Sequence, residues 1–283
     1  MPGSISGQVN EILAGGKLRS LVPDGLQWPL GLAVGEDGQL FVADGGFTYL
    51  LPPGGTPRCI GMLFSPGFPG YTRGVAAAGP GEYVVTTANG DVARFRPARQ
   101  ESEVLAGAFD RLYGVAIAPG GEVVFAEAGT GRVLSFSAGS TDILAAGLEE
   151  PMGVAVSPEG DCLVAEEGRG RVVRLKGGRA ETVLDGLQRP QGILVHGDRL
   201  YIVDVGAKQL IEFDPAGGTR RTLGSNLPVG APPGVTPKFL RAIPPLSGPM
   251  GPFAGIAAGA DGTLYLSADA DGSVLALRPG RAA

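Results

Sequence analysis

Six copies of one short unit predict an all-β fold, a six-bladed β-propeller with four-stranded blades. Three observations carry that expectation. A Pro-X-Gly or its variant opens each copy, with the glycines at 31, 74, 114, 153, 192 and 255. Their spacings are 43, 40, 39, 39 and 63 residues, close to one four-stranded sheet per copy with a single enlarged interval. The two ends of the chain also complement each other, since the last copy lacks a strand that the first residues supply.

The copies begin in order with LQWPLGLAVGEDGQLFVADGG near residue 26, YTRGVAAAGPGEYVVTTANGDVARF from 71 and FDRLYGVAIAPGGEVVFAEAGTGRVLSF near 109. They continue with PMGVAVSPEGDCLVAEEGRGRVVRL from 151, LQRPQGILVHGDRLYIVDVGAKQLIEF from 187 and GPFAGIAAGADGTLYLSADADGSVLAL from 251. In each, an apolar run follows the glycine, a Gly-Asp type turn reverses the chain, and a second apolar run follows. Nearly continuous apolar runs suit inner strands covered on both faces. A third run such as RVVRL and a more polar fourth such as AETVLDG complete the unit. The C-terminal copy stops after SVLALRP, and GKLRSLVPDGL near the N-terminus matches the missing fourth strand. The last blade is therefore expected to be built from both termini, which leaves few open sheet edges. Residues 1–283 read as a single propeller domain.

Composition narrows the function classes. The 283 residues are 43% hydrophobic and 18% charged, a folded rather than a disordered balance, and the 49 Gly and 24 Pro point to many tight turns. A net charge of −5 without a basic block gives nucleic acid no footprint. No apolar run reaches membrane-spanning length, and MPGSISGQVNEIL lacks the pattern of a signal peptide. The expectation is a cytoplasmic protein, monomeric or weakly dimeric, with no nucleic-acid or membrane partner. Cys59 and Cys162 do not suggest a disulfide scaffold. His196 is the one histidine in the chain, and LVHGDRL places it at a tight turn. A multi-histidine zinc site is thereby excluded, and a Ser-His-Asp or Cys-His arrangement has only this residue to draw on.

The P-X-G, G-D/N and V-A-D/E pattern over nearly the whole chain resembles NHL repeats and the related propellers of virginiamycin B lyase and the gluconolactonase group. Such a resemblance implies fold more strongly than activity. In a propeller, the fourth-to-first and second-to-third connections share one face. The X residues (Leu30, Arg73, Tyr113, Met152, Gln191 and Ala254) then point into the mouth of the central channel. The residues ending the second strands (Asp44, Thr87, Glu127, Glu166, Asp204 and Ala268) lie beside it. Crowded carboxylates there would raise pKa values or attract a cation. The same acids can instead accept backbone N–H groups and fasten blades. Glu167, the neighbour of Glu166, falls in the turn and is expected to be solvated.

The resemblance implies metal ligands where gluconolactonase-like propellers carry Glu, Asn and Asp, but Leu30, Met152 and Ala254 stand at matching places. Virginiamycin B lyase uses a P-H-G histidine, which is Gln191 here, and a second-strand glutamate, whose pattern Glu127 and Glu166 fit. The amidating lyase propeller pairs an arginine and a tyrosine with histidine-bound zinc, and Arg73 and Tyr113 echo the first two. The enzyme expectation is a lyase, hydrolase or isomerase step on an organic acid, lactone or secondary metabolite. Arg73 would hold an anionic group, Glu127 or Glu166 act as base and Tyr113 as acid, with Mg²⁺, Ca²⁺ or Mn²⁺ on Asp44 and Asp204 as an option. The alternative is a non-catalytic NHL-type propeller that binds a protein or ligand.

Residues 225–252, SNLPVGAPPGVTPKFLRAIPPLSGPMGP, account for the enlarged interval and hold eight prolines. Fixed proline φ angles predict a semi-rigid excursion. It joins a fourth to a first strand and so emerges at the mouth, either as a lid tipped by Lys238, Phe239 and Arg241 or as a surface or dimer contact. Trp28, Phe68, Tyr71 and Phe109 precede P-X-G-like positions, so an aromatic rim is expected; with Gln191 it would suit a small organic ligand.

Overall fold

The computed structural model describes residues 7–12, 18–232, 234–235, 242–243 and 247–279. Six sheets form a ring, as the repeat predicts, and the fold is a six-bladed β-propeller. Blade 1 comprises β3 (Pro29–Val34), β4 (Leu40–Asp44), β5 (Phe47–Leu51) and β6 (Arg58–Met62), after two N-terminal strands, β1 (Gly7–Ile12) and β2 (Leu18–Leu26). Blade 2 is β7 (Thr72–Gly79), β8 (Glu82–Thr87), β9 (Val92–Arg96) and β10 (Glu101–Ala106). Blade 3 is β11 (Leu112–Ile117), β12 (Val123–Glu127), β13 (Arg132–Ser137) and β14 (Ser140–Ala145). Blade 4 is β15 (Pro151–Val156), β16 (Cys162–Glu166), β17 (Arg171–Lys176) and β18 (Arg179–Leu184). Blade 5 is β19 (Pro190–His196), β20 (Arg199–Asp204), β21 (Gln209–Asp214) and β22 (Thr219–Gly224). Blade 6 opens with β23 (Ile256–Ala258), β24 (Leu264–Ala268) and β25 (Ser273–Leu277).

Both termini close blade 6, but with one strand more than expected. Its order is β2-β1-β25-β24-β23, so five strands form the sheet. The fourth place belongs to β1, which pairs parallel to β25 with Val9 opposite Val274 and Ile12 opposite Leu277. The segment expected there, β2, folds back antiparallel on β1 as the outermost strand. GQVNEI is too short and too polar an alternation to announce itself as a strand.

The core is divided among the blades. Six apolar clusters each lie between two adjacent sheets; Phe41 and Ala43, for example, pack on Tyr83, Val85 and Phe95 between blades 1 and 2. Phe41 lies 4.5 Å from Tyr83 between ring centroids. These faces are apolar because both sides of each inner strand are covered. A seventh cluster, Leu30, Tyr113, Ala128, Met152 and Phe253, fills the centre of one face.

The repeated glycine has a steric cause. A Cβ on Gly31, Gly74, Gly153, Gly192 or Gly255 would stand no more than 2.6 Å from the carbonyl oxygen of the X residue in the next blade. For Gly114 the corresponding atom is the Met152 oxygen, at 2.8 Å. Each X carbonyl therefore seats on the preceding blade's glycine, and the sequence of seats runs once round the ring back to Leu30. Only a residue without a side chain permits this approach.

Candidate functional site

Every second strand ends on the residue expected, and the four carboxylates there are at most 1% exposed. Each reaches back to the loop entering its own first strand. Asp44 accepts the Gln27 N–H at 2.9 Å and the Trp28 N–H. Glu127 accepts the Asp110 N–H at 2.8 Å and Arg132 Nε at 2.6 Å, with the Thr130 hydroxyl as a third donor. Glu166 accepts the Glu149 N–H at 2.8 Å and Arg171 Nε at 2.6 Å. Asp204 accepts N–H groups from Gln188 and Arg189 at 2.9 Å and from Gly206 and Ala207 at 3.1 Å. Burial raises the Asp44 carboxyl above its ordinary pKa, against the lowering effect of those two N–H bonds. These contacts are blade fastenings.

The two blades without an acid use a hydroxyl one residue earlier. Thr86 Oγ1 accepts the Gly74 N–H at 2.9 Å and donates to the Tyr113 carbonyl oxygen of blade 3. Ser267 Oγ accepts the Gly255 N–H at 2.6 Å and donates to the Leu30 carbonyl oxygen of blade 1. Here the fastening runs from blade to blade.

Among the described residues no group of three or more His, Cys, Asp or Glu side chains is placed to hold a metal ion. Asp44 and Asp204 lie in different blades and direct their oxygens to backbone N–H groups. Among the described residues these two carboxylates are thus engaged by backbone and are not gathered around a common point.

The X ring does converge on the mouth, and all six side chains are buried. Arg73 and Tyr113 form its centre. The Arg73 guanidinium carbon stands 4.8 Å from the Tyr113 ring centroid, a cation–π arrangement. Arg73 Nη1 donates to the Leu112 carbonyl oxygen at 3.0 Å and Nη2 to that of Pro249. Its Nε has no hydrogen-bond partner, and no carboxylate forms an ion pair with it among the described residues. Burial pulls the Arg73 pKa below its usual value, with the nearby Arg111 adding to the effect. Tyr113 is pushed the other way by burial, so its phenol stays protonated at neutral pH.

Glu167 corrects the expectation of a solvated turn. It is 6% exposed and accepts Arg189 Nε at 2.7 Å and Gln191 Nε2 at 2.8 Å. The one-turn 3-10 helix Glu167–Arg169 turns it inward, fixed by the Glu167 N–H on the Glu150 carbonyl at 3.0 Å. Gln191 Oε1 then accepts the Ala254 N–H at 2.9 Å. Charge from Glu167 and Arg73 reaches Tyr113 together. The sequence did hold a signal for this residue. Positions directly after the second strands are Gly45, Ala88, Ala128, Glu167, Val205 and Asp269, and only two of them are charged.

The insertion runs across this face. Gly248 is seated against the Ala88 carbonyl in blade 2, Pro249 receives Arg73, and Phe253 lies 5.8 Å from the Tyr113 ring. Lys238, Phe239 and Arg241 lie outside the described residues. The aromatic rim divides. Trp28 packs against the mouth cluster, whereas Phe109 meets Phe125 edge-to-face at 5.0 Å and Phe68 meets Phe95 likewise at 6.3 Å, both in the cores between blades. Tyr71 is half-buried, and its carbonyl accepts the Ala88 N–H at 2.8 Å. His196 ends β19 at the first-to-second turn, on the opposite face. Beside the mouth, between blades 5, 6 and 1, a cavity of about 560 Å³ is lined by Trp28, Lys208, Leu227, Pro228, Pro252 and Asp269, among others.

No protein-family model and no curated protein sequence matches the chain. Solved structures do. Virginiamycin B lyase from Staphylococcus aureus superposes with a TM-score of 0.59 at 15% identity, over 84% of this chain and 77% of that one. A chain of the nidogen/laminin complex gives 0.66 at 18% identity, over 77% and 90%. A protein assigned as a gluconolactonase gives 0.65 at 16% identity, over 93% and 92%. No helix among the described residues is long and apolar enough to cross a membrane. The chain is thus a six-bladed propeller whose fold is similar to those of the virginiamycin B lyase and gluconolactonase-assigned structures.

Proposed function

We propose that the chain is a small-molecule enzyme of the propeller lyase or hydrolase type, acting on an organic acid or lactone at the X-ring mouth. The observation that carries the reading is Arg73. A guanidinium at 1% exposure that is hydrogen-bonded to two carbonyl oxygens, stands on a ring face and has no carboxylate in direct contact among the described residues is a buried cation suited to an anion. Its free Nε and planar fork suit a carboxylate or a developing enolate. Tyr113, kept protonated by burial, stands on the guanidinium and is the proton donor nearest such a group. Gln191 and Glu167 line the same centre as a hydrogen-bonded wall. Pro249 and Phe253 must move aside for a ligand to reach Arg73, so the insertion acts as the lid. Glu127 and Glu166 fasten blades in this reading.

A second reading, a non-catalytic ligand-binding propeller, draws on the way Phe253 fills the mouth. The two separate in one experiment. Thermal shift with succinate, phenylacetate and δ-valerolactone, followed by assay for their turnover, is run on the wild type and on Arg73→Met. A carboxylate-dependent rise in Tm that Arg73→Met abolishes supports the site. Turnover of a member of the panel supports the enzyme, and binding without turnover the second reading. Equal shifts in both proteins would overturn the assignment of Arg73.

A further inference from the structure

Two departures from the repeat meet in the cavity beside the mouth. The turn between second and third strands places a glycine at positive φ in five blades, at Gly45, Gly90, Gly131, Gly170 and Gly272. Blade 5 has Lys208 there, at φ 58°. A lysine in the left-handed region is disfavoured relative to glycine, so the turn by itself does not select it. Blade 6 supplies the second departure, Asp269, where four other copies have Gly45, Ala88, Ala128 and Val205. Both side chains line the 560 Å³ cavity, and the sole tryptophan of the chain, Trp28, forms another part of its wall.

Their hydrogen bonds leave capacity over. Lys208 Nζ donates to the carbonyl oxygens of Val229 and Ala231, two of the three bonds an ammonium can make. Asp269 Oδ1 accepts the Gly230 N–H at 2.7 Å, and the carboxylate also takes its own backbone N–H, which leaves lone pairs for a further donor. The two form no direct ion pair, although each acts on the other's charge across the cavity. A donor on Lys208 and an acceptor on Asp269 therefore face a pocket whose other side chains are mostly apolar, among them Trp28, Leu227, Pro228 and Pro252, with the Asn226 amide as a further polar group.

We propose that this cavity is a second binding site, distinct from the Arg73 mouth, for an uncharged, flat ring compound bearing an amide-type edge. Lys208 and Asp269 oppose each other in charge, so an ionic ligand would meet a like charge as well as an opposite one. A neutral group with adjacent N–H and C=O satisfies the Asp269 carboxylate and the third Lys208 hydrogen together, and its ring lies against Trp28 and the prolines. The volume falls within the range of small-ligand pockets, roughly 300–1,000 Å³. That Lys208 and Asp269 also pin residues 229–231 explains how the site is held in shape.

Trp28 reports on the site directly. Its emission is followed while benzamide, benzoate and benzylamine are titrated into the wild-type protein, Arg73→Met, Asp269→Asn and Ala270→Leu. The proposal expects a saturable change with benzamide at millimolar concentration, and a response at least tenfold weaker with the two charged probes. Arg73→Met should respond as the wild type does, which separates this site from the mouth. Asp269→Asn keeps an oxygen for the Gly230 N–H and loses the acceptor, and Ala270→Leu fills the cavity. Both should retain the wild-type Tm and lose the benzamide response. An equal or stronger response to benzoate or benzylamine, no saturable response to benzamide, or an undiminished one in Ala270→Leu would overturn it.

Discussion

At the scale of single residues, the glycine of each P-X-G and the buried thiol give the sharpest consequences. The Gln191 carbonyl oxygen and the Ile193 side chain occupy the space a Cβ on Gly153 would enter. Because the obstacle is backbone of the neighbouring inner strand, relief requires the two blades to part. Gly153→Ala should cost about 3 kcal/mol of unfolding free energy in urea. A change below about 0.5 kcal/mol would mean that the ring does not depend on this seat. The two cysteines differ by environment. Cys59 is exposed, whereas Cys162 is buried and its thiol is pushed up from 9.0 to about 12. Disulfide reagent at pH 8 should therefore titrate one thiol in the native protein and two after denaturation. Between pH 9.0 and about 12 the unfolded chain releases the Cys162 proton and the native one holds it, so this group's contribution falls as pH rises through that window.

At the scale of elements, the blade is a strand quartet fastened at the end of its second strand. Glu166 joins β16 to the entry of β15 through the Glu149 N–H and to β17 through Arg171. Glu166→Gln keeps one acceptor and removes the charge that Arg171 faces. It should lower stability by about 2 kcal/mol while leaving the succinate and phenylacetate response intact. Unchanged stability with a lost response would place Glu166 in the ligand site instead. The sequence makes these strands legible because the repeat period and the apolar runs are enforced six times over. It also locates the ring of acids, since each must meet the same loop. What a single side chain does inside that grammar is less visible. Glu167 turns inward because a 3-10 turn and the partners Arg189 and Gln191 of the next blade permit it, and those partners lie more than twenty residues away. The order β2-β1-β25 was hidden because the short, polar GQVNEI gives a weaker strand signal than the longer LRSLVPDGL beside it.

For the whole molecule, six interblade cores and a closed ring leave the mouth as the place where the repeat is broken. The X residues differ in every blade, and the insertion departs from the ring between blades 5 and 6 to cross toward blade 2. The position of the mouth was legible from topology alone, because second-to-third and fourth-to-first connections share a face. Arg73, Tyr113 and Gln191 stand buried there, where the repeat places them. The fit of Phe253 into the centre depends on a path through the insertion that proline content does not specify. The central claim is that Arg73 is retained for a ligand and contributes little to the ring. Unfolding free energy of Arg73→Met against the wild type, both without ligand, tests it most directly. Methionine keeps the packing over Tyr113 and removes a buried charge that has no carboxylate partner among the described residues. A difference within about 1 kcal/mol, or a gain, is the predicted result. A loss of about 3 kcal/mol or more would contradict it, because Arg73 would then be a strut between blades 2 and 3 and the insertion.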